Sequence, residues 1–549
     1  MKSPVPFLMM KNALLKFRQP AQYIGNEFFS VKKDWSLVAK RFLIASPATY
    51  EMSASSLGLK ILYHVINSKK DCLCERVFMP GDDVKEYLLK NGAPLVSLET
   101  KHLPRDFSIV GITFTSRSSM LLTAEFFELL KIPLLNRDDS FPVVVAGGPA
   151  VSNFVPLVDF FDAFIVGDGE EVLGDMLDEY ASSRKDAFLE RVSKIKGVYV
   201  PGKSECVKKA VCRLKAEYYP VKPIIPNIRT LQNRLDIEVM RGCPNNCRFC
   251  EAKRFYSPVR VRPKEELKEI IFSSVRNTGY GSISLTSLST PQYPHIMELV
   301  EEIIPFLSGH GISLQIPSLR PDRKSFDCVM KILKLNQVNL TFAPETFSQR
   351  LQRVLGKITP FDEFEKLLFD IRHAGFRDVK IYLMAGLPTE TDDDIASTIK
   401  ALNKLKKTGL KIAVTVSVFV PAPHTPFQWV KFREPAEICE RVRRMKKEMN
   451  GIAVRAADLD GFLVEGILSR ADEKVKPVLA AMKGLAGFSF DFWKKEMGKI
   501  GIDAVDYIRR DFMRGELPWG KIEIADGDEL RKEYEASLGK MGSALFFHE

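Results

Sequence analysis

Three cysteines in the run Arg241-Gly242-Cys243-Pro244-Asn245-Asn246-Cys247-Arg248-Phe249-Cys250 are spaced C-x3-C-x2-C. Three thiolates cannot complete a cubane iron-sulfur cluster, in which each iron takes a terminal ligand, so the spacing leaves one iron open to a group that is not protein. An open iron is a place where chemistry can occur. The competing reading is a structural zinc knuckle, which calls for a second pair of Cys or His. The neighbouring sequence offers no such pair.

The elements around the motif decide what else can reach it. Residues 235–240, immediately before the motif, alternate apolar and polar side chains and read as a strand. Further strand candidates lie at 282–286, 313–316, 337–342, 378–384 and 413–420, with helical stretches between them, which argues for a parallel sheet with crossover helices. In closed sheets of this kind the reacting groups stand at the carboxyl ends of several strands. The residues found there are Ser287 and Ser289, Arg320, Glu345 and Arg350, Gly386, and His424 between two prolines.

Upstream, strand candidates at 41–47, 75–79, 109–114, 143–146 and 163–166, with a helix at 57–66, read as a doubly wound domain that binds ligands at its strand ends. Two of those ends carry Gly147-Gly148-Pro149 and Gly167-Asp168-Gly169. Glycine there either lets the backbone approach a bulky ligand or closes a tight turn. The loop after the first strand, 47–58, holds no histidine, and His64 falls inside the helix. The expected organisation is an N-terminal extension (1–39), a doubly wound domain (40–202), a proline-containing linker (203–233), a barrel (234–450) and a helical C-terminal domain (451–549).

A chain of 549 residues exceeds one hydrophobic core, in keeping with several domains. Its nine cysteines are too irregular for a disulfide scaffold, and a thiolate site needs reducing surroundings, so a cytoplasmic location is expected. The short run Val5-Pro6-Phe7-Leu8-Met9-Met10 is a poor signal peptide, and no stretch approaches a membrane span. The net charge of +11 permits a nucleic-acid partner without requiring one, because clusters such as Arg441-Val442-Arg443-Arg444 read as solvated helix faces.

The cysteine motif, with aromatic Phe249 before its third cysteine, resembles that of the radical SAM superfamily. Gly147-Gly148-Pro149, Asp159-Phe160-Phe161-Asp162 and Gly167-Asp168-Gly169-Glu170-Glu171 resemble the cobalamin-binding-type domain that precedes many such barrels. The whole order is similar to an uncharacterised group of these proteins. The resemblance implies an α/β fold: an N-terminal doubly wound Rossmann-like domain, a central partial TIM-type (β/α)6 barrel and a mainly helical C-terminal domain. It implies a 4Fe-4S cluster on Cys243, Cys247 and Cys250 and S-adenosylmethionine, and for the first domain one of two outcomes: cobalamin held at Gly147, Gly148, Gly167 and Gly169 without a protein imidazole, or a domain that keeps the fold and has lost the cofactor. Phe249, Ser287, Ser289, Arg320, Glu345, Arg350 and Gly386 would contact S-adenosylmethionine, with Arg320 or Arg350 forking its carboxylate. Glu345 and His424 are the candidate catalytic groups.

The implied reaction is reductive cleavage of S-adenosylmethionine to a 5'-deoxyadenosyl radical that abstracts a substrate hydrogen, with methyl transfer to an unactivated carbon as the outcome where cobalamin is bound. A one-electron reductant such as flavodoxin or ferredoxin is the expected partner, and the substrate is not legible. The Gly-Gly-Glu usual after the second barrel strand is absent. Two alternatives remain at this point, a methylthiotransferase-like enzyme modifying RNA or protein and a non-enzymatic nucleic-acid-binding metalloprotein. The first normally needs a second cysteine trio, which Cys72, Cys74, Cys206, Cys212, Cys328 and Cys439 do not form by spacing.

Overall fold

The computed structural model describes residues 13–180, 184–333, 340–456, 458–513 and 515–539. The run at 5–10 and part of the strand expected at 337–342 lie outside them.

Six strands form the N-terminal sheet: β1 (Lys40–Thr49), β2 (Cys72–Met79), β3 (Ile109–Thr113), β4 (Val143–Gly147), β5 (Ala163–Ile165) and β6 (Val198–Tyr199). Their order is β2-β1-β3-β4-β5-β6, parallel except for the antiparallel pair β5/β6. Helix α1 (Leu57–Ser68) follows β1, its start capped by the Ser56 hydroxyl accepting from the Leu59 amide. Helix α2 (Gly169–Glu179) follows β5. Side chains on both faces of β1 are buried, the continuous apolar pattern of a sheet covered on two sides. This is the doubly wound, Rossmann-like arrangement, and β6 is the strand that sequence patterning passed over because it is two residues long.

The barrel is built from two parallel sheets. The first contains β7 (Leu235–Glu238), β8 (Ser282–Thr286) and β9 (Ser313–Gln315). The second contains β10 (Thr341–Glu345), β11 (Asp378–Ala385), β12 (Lys411–Val418) and β13 (Ala453–Ala456). Alternate residues of each sheet, among them Ile237, Ile283 and Leu285 in the first and Val379, Ile381, Val414 and Val416 in the second, pack outward against the helices. The barrel therefore carries a seventh strand beyond the six expected, paired in parallel with β12 inside the stretch read as helical. Ala453–Ala456 is short and mostly exposed, so it lacks the alternation that reveals a strand.

From Leu459 onward the chain is mainly helical, and its buried Trp493 and Trp519 join a core that runs without a break from Val77 and Phe114 of the N-terminal sheet to Phe427 and Leu463. The stretch 203–233 is strapped to this tail, since Val207–Lys208 pairs in parallel with Ile522–Glu523. Among the described residues no helix is long and apolar enough to cross a membrane.

Candidate functional site at the junction of sheet and barrel

Gly147, Gly148, Gly167 and Gly169 meet in a single cavity of about 500 Å³, a volume ordinary for a small-molecule or cofactor site. One wall is the carboxyl end of the N-terminal sheet with the start of α1. The other is the barrel, through Glu238, Arg241, Gly242, Thr286, Ser287 and Leu288. Gly242 adjoins Cys243, so the cavity reaches the edge of the cysteine loop. Much of its lining is apolar, including Phe42, Ile44, Val145 and Leu173. Among the described residues no histidine lines it, and His64 contacts the Glu217 carbonyl at 3.1 Å.

The glycines do not all serve the same purpose. Gly148 has φ +96°, and a Cβ there would stand 2.6 Å from the Phe114 carbonyl oxygen. Gly167 has φ +103°, and its Cβ would stand 2.2 Å from the Ala210 carbonyl oxygen. Both are demanded by neighbouring backbone, which accounts for them as tight turns. At Gly147 the nearest atom to an added Cβ is 3.9 Å away, so this glycine is the one whose side-chain space belongs to the cavity.

Asp168 and Glu170, the acids between and after those glycines, clamp the cysteine loop. Arg241 donates to Asp168 at 2.9 Å, to Glu170 at 2.7 Å and to Glu238 at 2.8 Å, with its guanidinium and all three carboxylates largely buried. Arg260 also pairs with Asp168. Burial pushes the Asp168 carboxyl upward, but the guanidinium groups of Arg241 and Arg260 outweigh it and hold the group below the usual range. Asp168, Glu170 and the Cys212 thiol are close enough to hold a metal ion, yet the Arg241 guanidinium occupies the acids.

The three cysteines are each half-buried on one loop. Asn245 donates its side-chain amide to Cys243 Sγ at 3.2 Å and to Ser289 Oγ at 3.3 Å, which ties the loop to the end of β8. Ser289 in turn donates its amide to Ser287 Oγ at 3.1 Å. The far side of the loop rests on the helix Gln349–Leu355: Arg248 donates to the carbonyls of Arg353 and Val354, and Leu355 accepts from the Arg248 amide. Gly356 (φ +67°) permits this seat, since a Cβ there would meet the Asn246 carbonyl at 2.3 Å. Glu345, at the end of β10, accepts from Lys357 at 2.8 Å, and the Lys357 ammonium lies 5.8 Å from the Phe249 ring centre. Glu345, Phe249, Ser287 and Ser289 are thus brought to the cysteine loop, together with Lys357, Asn245 and Gly356, which sequence reasoning did not single out.

Arg320, Arg350 and His424 are engaged by other partners, and Gly386 serves its own turn. Arg350 is engaged by Asp394 and by the Thr389 carbonyl, the latter at 2.7 Å. Arg320 faces Asp322 at 3.7 Å. Gly386 has φ +79° but ordinary space for a Cβ, 3.4 Å from Ile438, so backbone conformation and not a close approach explains it. His424 is fully enclosed where the three regions meet. Its Nε2 contacts the Ser152 carbonyl at 2.8 Å, its amide donates to Gln428 at 3.1 Å, and Trp519 donates to the same Gln428 oxygen at 2.8 Å. Burial lowers its pKa to about 4. Beside it, Arg117 pairs with Glu251, the residue after Cys250, and with Glu465 of the C-terminal region at 2.9 Å. These links span up to 348 residues of chain, a separation that no local pattern reveals.

Family models match twice, "Radical SAM proteins, N-terminal" over residues 58–201 and "Radical SAM superfamily" over residues 237–402. The chain belongs to the radical SAM superfamily and is a radical SAM enzyme, the class whose cofactors are S-adenosylmethionine and a 4Fe-4S cluster. An uncharacterised protein of Methanocaldococcus jannaschii is 31% identical over 363 residues, covering 65% of this chain and 77% of that one. The anaerobic magnesium-protoporphyrin IX monomethyl ester cyclase of Cereibacter sphaeroides is 24% identical over 51% of this chain and 46% of its own length. In fold the chain is similar to the radical S-adenosylmethionine methyltransferase TsrM from Kitasatospora setae, solved with cobalamin and a 4Fe-4S cluster bound, with a TM-score of 0.53, 16% identity, and coverage of 74% of this chain and 75% of that one.

Proposed function

We propose that this radical SAM enzyme is cobalamin-dependent and transfers a methyl group to an unactivated carbon of its substrate. The observation that carries the reading is the shared cavity: its walls are the strand ends of the Rossmann-like sheet and the barrel mouth beside the cysteine loop, so a ligand held by the first faces the second. A cluster on Cys243, Cys247 and Cys250 would supply the electron that cleaves S-adenosylmethionine, and cobalamin would supply a methyl carrier.

The chain's own groups then have distinct tasks. Asn245 holds Cys243 and Ser289 together. Ser287 presents a hydroxyl at the cavity wall. Glu345, fixed by Lys357, offers a carboxylate oxygen to the amino or ribose groups of S-adenosylmethionine. Gly147 and the apolar wall leave room for a flat ring. The enclosed pairs Arg241–Asp168 and Arg117–Glu251 seal the joint between sheet and barrel against water. The methylthiotransferase alternative gains nothing, because Cys72 and Cys74 are buried in β2, Cys328 lies beside Met297 and Cys212 beside Glu170, with no second trio among the described residues.

Anaerobic reconstitution with iron, sulfide and cobalamin tests the reading. Full-length protein should take up both metals and cleave S-adenosylmethionine slowly under reductant. Its Co(II) spin spectrum should show no coupled histidine nitrogen, and replacement of all three cysteines by Ala should remove iron while cobalt remains. Absence of cobalt uptake would end the methyl-transfer reading and leave the superfamily chemistry standing.

A further inference from the structure

The barrel's two sheets differ in how their inward charges are matched. In the first sheet and at the rim every inward carboxylate has a cation: Asp236 faces Arg234 at 3.0 Å, Glu238 faces Arg241 at 2.8 Å, and Glu345 faces Lys357 at 2.8 Å. The second sheet buries Val379, Ile381, Val414 and Val416 against its helices, so the alternate residues Lys380, Tyr382 and Thr415 turn inward. Register puts Lys380 beside Ala413, and Tyr382, Thr415 and Arg455 in one row across β11, β12 and β13. Lys380 donates to the Tyr382 hydroxyl at 2.7 Å, and among the described residues neither Lys380 nor Arg455 forms an ion pair. One row below, Asp378 stands opposite Lys411, so that row is neutral. The wall therefore carries two unmatched positive charges. They are two strands and one row apart, with backbones about 12 Å from each other, within reach of one shared group through long side chains. Arg455, Thr415 and Ala413 are open to solvent or partly so, which leaves the wall accessible.

We propose that this wall is the substrate subsite and that the substrate is a small molecule with an anionic group, a carboxylate or phosphate, held between Lys380 and Arg455 with the Tyr382 and Thr415 hydroxyls as further partners. The geometry suits an Arg fork on two anion oxygens and a Lys point charge on the third side. The subsite lies inside the barrel and not on its convex face, which fits a small molecule entering the lumen. This deepens the reading above and rests on it for the identity of the reaction.

Calorimetric titration of the full-length reconstituted protein, with inorganic phosphate in one arm and succinate in the other, tests the subsite. One saturable site is expected, with Kd rising about tenfold in Lys380→Met and in Arg455→Gln through loss of a charge-assisted bond. Binding should vanish in the double variant, with iron content and thermal midpoint as checks on folding. Ala413→Glu places an acid at an exposed point between the two cations and should abolish binding independently. Saturation by phosphate alone assigns a phosphoryl group, and saturation by succinate alone a carboxylate. Failure of the wild-type protein to bind either anion, or undiminished binding in Ala413→Glu and the double variant, overturns the proposal. Cleavage of S-adenosylmethionine by the same wild-type preparation reports on the superfamily chemistry separately, so a protein that cleaves it and binds neither anion keeps that reading and loses this one.

Discussion

The two mouths that face each other across the cavity are built from opposite materials. On the sheet side the lining is mainly apolar side chain and glycine, with Asp168 and Glu170 at the seam and with Gly148 and Gly167 held in left-handed backbone by carbonyls of their own protein. On the barrel side it is charge, enclosed and matched: one guanidinium, Arg241, meets Asp168, Glu170 and Glu238. The sheet mouth shapes space by leaving side chains out, and the barrel mouth fixes position by pairing buried ions. The pairing crosses the seam, since Asp168 and Glu170 come from the sheet and Arg241 from the strand that leads into the cysteines. A cofactor held by one mouth is thereby kept in register with chemistry carried by the other.

Removing the ion that joins the mouths should have the largest effect. Arg241→Met would leave three carboxylates without their main cation, and losing one partner of a buried pair costs roughly 3 to 5 kcal/mol. Denaturant unfolding should show that loss, and adding Asp168→Asn and Glu170→Gln should recover part of it. If Arg241→Met unfolds at the wild-type midpoint, the clamp contributes nothing and the seam is held by the shared apolar core instead.

Much of the architecture was legible because its signals are local. Apolar runs located β1 to β5 and six of the seven barrel strands, β10 only through its first two residues, and the cysteine spacing located the loop that meets the cavity. The two-residue β6 is too short to show a period, and β13 is exposed along most of its length and lacks the apolar alternation that marks a strand. The site was read less completely for a different reason. Strand-top position sets Glu345, Ser287 and Ser289 near the cysteine loop, whereas Arg320, Arg350 and His424 occupy equivalent positions and are engaged by other partners. Lys357 and Arg241 were missed because their roles depend on who faces them across the fold, Arg241 meeting Asp168 over 73 residues. Glycine signalled the turns but not which turn faces the ligand, since a close carbonyl and a close cofactor demand the same missing Cβ.

A second test concerns the place where sheet, barrel and C-terminal helices meet. His424 is enclosed there with Glu251, Arg117 and Lys209 as the charged groups around it, and burial holds its pKa near about 4 against an ordinary 6.5. On acidification the unfolded chain takes up the proton first. This contribution to stability is therefore intact above pH 6.5 and is lost as pH falls from 6.5 to 4, a shift equivalent to roughly 3 kcal/mol. Unfolding free energies at pH 7 and pH 4.5 should diverge more in the wild-type protein than in His424→Gln. Equal pH slopes would mean that His424 is hydrated and the junction is open to water.

The smallest stability effect, and the sharpest contrast, is within the glycine pair of the sheet mouth. Gly148→Ala places a Cβ against the Phe114 carbonyl in backbone at φ +96°, a conformation that costs a non-glycine residue about 1 to 3 kcal/mol. It should lower the unfolding midpoint, with any loss of cobalamin uptake following from that strain. Gly147→Leu meets nothing closer than 3.9 Å at Cβ and sends its side chain into the cavity, so stability should remain near wild type while cobalt uptake on anaerobic reconstitution is lost. The two substitutions together separate a glycine that serves the turn from one that serves the ligand. Full cobalt uptake by Gly147→Leu would show that the corrin does not occupy this mouth, and the comparison between a mouth shaped by absent side chains and one fixed by paired charges would lose its functional half.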